Sequence, residues 1–141
     1  MTLTRLIERF YHEVWNLADE AVAHDILHPD FRFRGSLGPE KRGVDGFLDY
    51  ARSIHAALGG YTCTIAEIID QDQRAAVRLR FGGIHRGSLF GVAATGREIA
   101  WAGAAFFGMA DGRIADLWVL GDVDAVKAQL GADVRAGLEG V

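Results

Sequence analysis

The chain has 141 residues, a length that fits one domain with a core large enough to fold without disulfides or metals. Half of its residues are hydrophobic, its formal net charge is −4, and its basic residues are not clustered along the sequence. This composition gives no electrostatic reason to expect nucleic acid or an anionic membrane as a partner, and we expect a single domain over residues 1–141.

Two absences in the sequence bear on location. There is no basic start followed by an apolar run and a small-residue cleavage site, and no window reaches the roughly 18–20 apolar residues of a membrane span. We therefore expect a cytoplasmic protein with no membrane partner. The single cysteine, Cys63, excludes an intramolecular disulfide, and its neighbours Tyr61, Thr62 and Thr64 favour a strand that buries it as a structural thiol.

The first 60 residues carry the hydrophobic period of α-helices, with apolar side chains three and four positions apart. Proline disfavours helix at the residue before it, so His28-Pro29-Asp30 is expected to end the second helix. Gly59-Gly60 is expected to end the third. The predicted elements are helices over residues 3–17, 18–27 and 44–58, a short strand over 31–34 and a loop over 35–43.

After residue 60 the pattern changes to the alternation of strands. A Gly-rich stretch, residues 82–96, separates the second strand from the third, and Asp111-Gly112 is a hairpin signal. Helices followed by a meander of strands predict an α+β fold, in which N-terminal helices pack on a curved antiparallel sheet to form a cone with a ligand cavity inside. The predicted elements are strands over 61–69, 74–81, 98–107 and 113–120, a short helix over 124–130 and a frayed end.

Besides these patterns, the sequence contains a series of short motifs that resemble those of a known family. They occur in the following order: Phe10-Tyr11-x-x-Val14-Trp15-Asn16, His28-Pro29-Asp30-Phe31, Gly43-x-Asp45-Gly46-Phe47, Gly83-Ile84-His85-Arg86-Gly87, Gly91-x-x-x-Thr95-Gly96-Arg97 and Asp111-Gly112-Arg113-Ile114-x-x-x-Trp118-x-x-x-Asp122. With this ordered set the sequence resembles the SnoaL-like polyketide cyclases, or ester cyclases, of the NTF2-like superfamily. The fold hosts other chemistries as well.

The resemblance implies an intramolecular aldol condensation without metal or organic cofactor, in which a carboxylate removes a carbon-bound proton and conjugated carbonyls delocalise the enolate. The family's catalytic acid lies near the end of the last strand, which implies Asp122, with Asp116 in reserve. His85 matches a family sequence position. The family's second cavity histidine has no counterpart over residues 101–107, which contain no ionisable side chain.

The residues themselves offer a related interpretation of the last strand. Side chains alternate across a strand, so Asp116, Trp118, Leu120 and Asp122 should share one face. If that face lines the cavity, two carboxylates flank an aromatic ring and can divide into a proton donor and a base. In the alternative interpretation Asp122 caps the helix that starts near Val123, and Asp116 is an exposed structural residue.

Other candidate residues have a functional and a structural interpretation as well. His85 lies between glycines and could shuttle a proton or be a hydrogen-bonded structural residue. The Tyr11 hydroxyl could donate to an enolate or be satisfied within the core. The remaining histidines lack the spacing of metal ligands, so no metal site is predicted. The residues predicted to bind substrate are Tyr11, Trp15, Phe33, Phe90 and Trp118.

Three functions are compatible with these observations. The first is a cofactor-free, cyclase-type enzyme that acts on a small apolar or aromatic carbonyl compound with Asp122 as general base. The second is a non-catalytic protein that binds a small ligand in the same cone. The third is an isomerase, dehydratase or epoxide hydrolase, the last of which needs an Asp–Arg–Asp arrangement. The resemblance also implies a homodimer, for which the apolar run over residues 100–107 suits burial on both faces.

Overall fold

The computed structural model describes residues 1–131, which form four α-helices, a π-helical segment and six strands. The predicted frayed end therefore lies outside the described residues, apart from Gly131. The elements are α1 (Leu3–Arg9), the π-helical segment (Phe10–Trp15), α2 (Glu20–Ile26), β1 (Leu27–Arg34), β2 (Glu40–Arg42), α3 (Gly43–Ala57), β3 (Leu58–Gln71), β4 (Arg74–His85), β5 (Glu98–Ala110), β6 (Arg113–Gly121) and α4 (Val123–Leu130).

The strands form one curved, unclosed sheet in the order β2-β1-β6-β5-β4-β3. Neighbouring strands are antiparallel except β1 and β6, which run parallel. Helices α1 and α3 contact the sheet. The α+β prediction is confirmed, and the parallel pair is a detail that the strand meander did not predict. None of the helices within residues 1–131 is long and apolar enough to cross a membrane.

Alternation along the strands divides the sheet into an inner and an outer face. On β5, Ile99, Trp101, Ala105 and Phe107 are buried, whereas Phe106 is 47% exposed. The inner face meets the helices in a core of aromatic rings. Within it Phe47 lies 5.4 Å from Phe10 and 5.7 Å from Phe31, measured between ring centroids, and all three rings are fully buried.

The first helix differs from the single amphipathic helix predicted over residues 3–17. Thr2 caps α1, and after Arg9 the winding loosens into the π-helical segment, where the Asn16 amide donates to the Tyr11 carbonyl at 2.9 Å. Both members of two adjacent pairs, Phe10-Tyr11 and Val14-Trp15, are buried in this segment. In a regular α-helix adjacent side chains point about 100° apart around the axis. π-Helical turns occur frequently at functional sites.

Strand β1 is longer than predicted, because it continues through Pro29 directly from the end of α2. Proline has no amide proton for a ladder hydrogen bond, and the β1–β6 register is interrupted where it lies, between Leu27 and Arg32. Strand β2 forms inside the predicted loop by pairing with β1. Gly59-Gly60, which was predicted to end the third helix, lies within β3 instead, and Gly82-Gly83, the start of the predicted Gly-rich stretch, lies within β4.

Candidate functional site

An interior cavity lies between the helices and the inner face of the sheet. Its volume is about 10 Å³, space for about one water molecule, so its walls must move apart to admit a larger ligand. All of its lining side chains are aromatic, aliphatic or hydroxyl-bearing. They are Phe10, Tyr11, Trp15, Phe33, Ser36, Tyr50, Tyr61, Phe81, Leu117 and Val119.

Tyr11 is the lining residue whose polar atom is unsatisfied. Its hydroxyl is fully buried and has no hydrogen-bond partner among the described residues, which costs about 1–3 kcal/mol relative to a satisfied group. Burial, and secondarily the neighbouring Cys63, raises the pKa of Tyr11 well above its ordinary value, so the phenol stays protonated and available as a donor. The π-helical segment holds its ring against Phe10 and Phe107, at centroid distances of 5.1 and 5.9 Å.

The other two tyrosines of the cavity are already hydrogen-bonded. Burial raises the pKa of Tyr50 to about 12, while hydrogen bonds with the Leu37 backbone and the Ser36 side chain act in the opposite direction. Burial raises the pKa of Tyr61 well above its ordinary value, and its hydrogen bond with Cys63 adds to this shift. The cavity thus carries three protonated phenols, of which Tyr11 has a free hydroxyl.

Cys63 is buried, as the sequence predicted, and burial raises the pKa of its thiol to about 12. Its backbone is bound by the side chain of Asn16, whose amide nitrogen donates to the Cys63 carbonyl at 3.0 Å and whose oxygen accepts from the Cys63 amide at 2.8 Å. Asn16 follows the π-helical segment directly. This pair of bonds therefore fixes the end of the segment that carries Tyr11 to β3.

The raised pKa values of the three tyrosines and Cys63 predict that the protein loses stability at alkaline pH. Because the folded-state pKa values are raised, the unfolded chain ionises first, beginning near 9.0 for the thiol and 10.0 for the phenols. The contribution of these groups to the free energy of unfolding should be constant up to about pH 9 and fall towards pH 12, by about 2–3 kcal/mol for Tyr50 alone. Urea titrations of wild type and Tyr50→Phe across this range test it, since the variant should lose less. Identical pH profiles would contradict the assignment.

His85 is fully buried at the inner-face end of β4 but does not line the interior cavity. Its Nδ1 accepts from the Thr95 backbone amide at 3.1 Å and lies 2.9 Å from the Thr95 hydroxyl. The proton is therefore on Nε2, which has no hydrogen-bond partner among the described residues. Phe90 lies in the segment that follows β4, half-buried, with the Lys127 ammonium 5.1 Å from its ring centre, and it too is absent from the cavity lining.

Asp116 and Trp118 share a face, as alternation predicted, but it is the outer face. The intervening residues Leu117 and Val119 line the cavity instead, and Trp118 is 45% exposed. The expectation that Trp118 lies on the pocket side is therefore wrong. Alternation determines which residues share a face, whereas the face that turns to the cavity depends on how the rest of the protein packs against the strand.

The Asp116 carboxylate lies between two guanidinium groups. Its oxygens are 3.7 Å from Arg32 and 3.6 Å from Arg74, and its side chain is 30% exposed. The arrangement is one acid between two arginines, the reverse of the arginine between two acids that epoxide opening requires. These contacts agree with the structural interpretation of Asp116.

Asp122 is exposed at the first position before α4, where its Oδ1 accepts from the Ala125 amide at 3.1 Å. This is the capping interpretation of the residue. Asp122 nevertheless follows a residue that is hydrogen-bonded to the cavity lining. The preceding Gly121 donates from its amide to the carbonyl of Ser36 at 3.1 Å, and Ser36 lines the cavity.

The outer face carries a second concavity, a surface groove of about 520 Å³. Phe33 and Leu117 border both the groove and the interior cavity, whereas Asp116 and Trp118 border the groove alone. The groove is open and contains no fully buried polar side chain. Its lining residues are Arg32, Phe33, Arg34, Glu40, Lys41, Arg42, Asp116, Leu117 and Trp118.

Of the predicted site residues, the interior cavity thus brings together Tyr11, Trp15 and Phe33. Sequence reasoning missed Tyr50 and Tyr61, although both had a signal: Tyr50 is an aromatic residue in the third predicted helix, and Tyr61 begins the first long predicted strand. Within residues 1–131, no three His, Cys, Asp or Glu side chains are grouped so that they could hold a metal ion.

Comparisons with known proteins agree with this fold. The family model described as "SnoaL-like polyketide cyclase" matches residues 5–130. TsrD from Streptomyces laurentii is 25% identical with a TM-score of 0.83, covering 93% of this chain and 96% of its own. IdmH from Streptomyces antibioticus is 25% identical with a TM-score of 0.78, covering 92% and 98%. A SnoaL-like polyketide cyclase from Agrobacterium tumefaciens is 19% identical with a TM-score of 0.78, covering 93% and 99%. None of the curated proteins matches.

Proposed function

Since the chain belongs to the SnoaL-like polyketide cyclase family, we propose that it is a cyclase-type enzyme acting on a small, largely apolar carbonyl compound held in the interior cavity. The observation that carries the proposal is the Tyr11 hydroxyl, a protonated donor buried in the cavity wall without a partner. A substrate carbonyl would satisfy it, and the bond would strengthen as the oxygen becomes an enolate.

The proposed reaction is an intramolecular aldol addition. A base removes a proton from the carbon beside one carbonyl, and Tyr11 donates a hydrogen bond to the enolate oxygen. The enolate carbon attacks a second carbonyl carbon of the same molecule, and the resulting alkoxide takes up a proton. One carbon–carbon bond forms and no electrons leave the substrate, so the proposal includes no cofactor. Trp15, Phe33 and Phe81 offer apolar walls for a planar substrate.

We propose Asp122 as the base, with Asp116 in reserve. The support is its position next to Gly121, whose amide donates to the carbonyl of Ser36 in the cavity lining. One carboxylate oxygen caps α4, whereas Oδ2 has no hydrogen-bond partner among the described residues. A base must come within hydrogen-bond reach of the proton that it removes, and such contacts often tighten only when substrate is bound. The role therefore requires the residues around Ser36 to move when the cavity opens.

A second candidate function, a non-catalytic ligand-binding protein, is favoured by a different observation. None of the residues that line the interior cavity carries a carboxylate or an imidazole. In this alternative the free hydroxyl of Tyr11 donates to a carbonyl oxygen of a ligand that leaves unchanged.

A turnover screen separates the two functions. Purified protein is incubated with a panel of aromatic polyketide methyl esters, and mass spectrometry with chromatography follows both bound ligand and ring-closed product. We expect conversion of at least one ester to an isomer of unchanged mass. Ligands that co-purify with the protein and are recovered unchanged would support the binding protein and contradict the enzyme.

We also propose that two copies associate through the outer face of the sheet. An apolar patch lies there on β5 and β6, in which Phe106 is 47% and Leu120 is 52% exposed. Trp118 lies beside Phe106, at a centroid distance of 6.0 Å, at the border between this patch and the surface groove. Exposed apolar patches of neighbouring residues are typical of protein interfaces, and a symmetric pair would cover the same patch on both copies.

Introducing a charge at the centre of this patch is expected to give a monomer. Phe106→Asp places a carboxylate in the proposed interface, where it would lose its hydration without gaining a partner. Light scattering at micromolar concentration should report a dimer for wild type and a monomer for the variant. Leu17→Asp is the matched control, because Leu17 is 73% exposed elsewhere on the surface and should leave the dimer intact. A monomeric wild type would contradict the proposal.

A further inference from the structure

The groove on the outer face takes no part in the reaction proposed for the interior cavity. Its volume of about 520 Å³ is within the range of small-molecule sites, roughly 300–1,000 Å³. We call it the basic groove and define it by its polar residues and its exposed aromatic ring. They are Arg32, Arg34, Glu40, Lys41, Arg42, Asp116 and Trp118.

Two arginines stand directly opposite each other in this groove. Arg32 of β1 and Arg42 of β2 are register partners, so their side chains leave the sheet on the same face about 4.5–5.5 Å apart at Cβ. Like charges in this position are destabilising. The next pair along, Arg34 and Glu40, is complementary. The Arg32–Arg42 pair is therefore a local concentration of positive charge that an anion would relieve.

The acidic residues nearby leave much of this charge uncompensated. Asp116 is 3.7 Å from Arg32, beyond hydrogen-bond length, and is shared with Arg74. Arg42 makes no ion pair or side-chain hydrogen bond within residues 1–131. Although the whole chain has a formal net charge of −4, the groove lining has four basic and two acidic side chains. The groove thus attracts anions against the sign of the whole protein.

An aromatic surface lies next to this charge. The Arg34 guanidinium carbon is 5.2 Å from the centre of the Trp118 ring system. Arg34 is held in place by donating to the carbonyls of Val119 and Gly35. The Trp118 indole is 45% exposed, so it offers a rigid surface on which a second planar group can stack.

We propose that the basic groove is a second ligand site, specific for a planar aromatic anion. The carboxylate or phosphate group of the ligand pairs with Arg32 and Arg42, and its ring packs on Trp118. Guanidinium groups bind both kinds of anion in bidentate geometry. The site is separate from the interior cavity, and it does not depend on the reaction proposed there.

Titration with 2-naphthoate tests this site, with 2-naphthyl phosphate as the second anion and 2-naphthalenemethanol as the neutral analogue. The protein contains three tryptophans, of which Trp15 and Trp101 are buried. In a ¹⁵N-labelled sample, either anion should shift the indole N–H signal of Trp118 first, a signal assigned by its loss in Trp118→Phe. The neutral analogue should shift it weakly. The anion that binds more tightly identifies the head group that the site prefers.

Arg42→Gln should weaken binding of the anions by about tenfold or more, since it removes a charge-assisted hydrogen bond to the anionic group. It should leave stability unchanged or raise it, because the like-charge pair is removed. Arg80→Gln is the matched control, with the same change of charge on the same face outside the groove. It should keep the wild-type affinity.

Three results would overturn the proposal. One is equal affinity for the anions and the neutral analogue. Another is a shift of the Trp15 or Trp101 signal in place of that of Trp118, which would place the probe in the interior. The last is binding that appears only in monomeric Phe106→Asp, which would mean that a second copy covers the groove in the native protein. If the polyketide ester screen detects no turnover, these binding measurements still test the groove on their own.

Discussion

Replacing Tyr11 with phenylalanine is expected to lower turnover by about 10²- to 10³-fold and leave the fold intact. The variant removes a single buried oxygen that has no partner within the protein, so the free energy of unfolding should stay the same or rise. Turnover should fall because the enolate loses its donor in a site that excludes water. The measurement is kcat with the best ester of the screen, together with the urea midpoint of both proteins.

Tyr61→Phe is the matched control for Tyr11→Phe. It removes the same atom from the same cavity, but the Tyr61 hydroxyl is already hydrogen-bonded with Cys63. We expect it to cost about 1 kcal/mol of stability with a small effect on turnover. The opposite ranking, in which Tyr61→Phe loses activity and Tyr11→Phe does not, would refute Tyr11 as the donor and point to Tyr61.

Asp122→Asn is expected to lower turnover by about 10²- to 10⁴-fold, the usual contribution of a general base. Asparagine accepts a hydrogen bond through its side-chain oxygen and is an N-cap residue as good as aspartate. The bond to the Ala125 amide should therefore survive, and the melting temperature should change little. The variant separates the proposed chemical role of Asp122 from its capping role.

Two further variants make this separation complete. Asp122→Ala should lose turnover and also about 1 kcal/mol of stability, because the cap disappears with the base. Asp124→Asn changes another exposed acid in the first turn of α4 and should affect neither quantity appreciably. Full activity in Asp122→Asn would show that the base lies elsewhere, and Asp116→Asn would be the next variant to measure.

Elements with a strong local pattern could be predicted from the sequence. The apolar stripe of α3 gave the third helix to within a residue at either end, and the starts of β4, β5 and β6 were predicted correctly. The hairpin at Asp111-Gly112 was predicted as well, and both residues adopt the positive φ that such a two-residue turn needs, at 53° and 73°. These features depend on residues near one another in the chain.

Features that depend on distant partners could not be predicted in this way. Strand β2 has three exposed residues and no hydrophobic alternation, and it exists because β1 offers it a partner. Strand β1 continues past Pro29 because β6 lies parallel beside it, with the register shift placed at the proline. The π-helical segment keeps the apolar period of an α-helix, so nothing in the sequence indicated that the first helix is divided.

The same distinction between local pattern and distant packing applies to the candidate site. The sequence by itself determined that the chain folds as an α+β protein, that Asp116 and Trp118 share one face of the last strand, and that Tyr11 follows Phe10 on an apolar helix. The tertiary structure decided that Leu117 and Val119 face the cavity while Trp118 faces outward. It also brought Tyr11, Tyr50 and Tyr61 to one cavity from three separate elements. Periodicity specifies relative orientation within an element, whereas the direction in which an element faces is set by the packing of all the others.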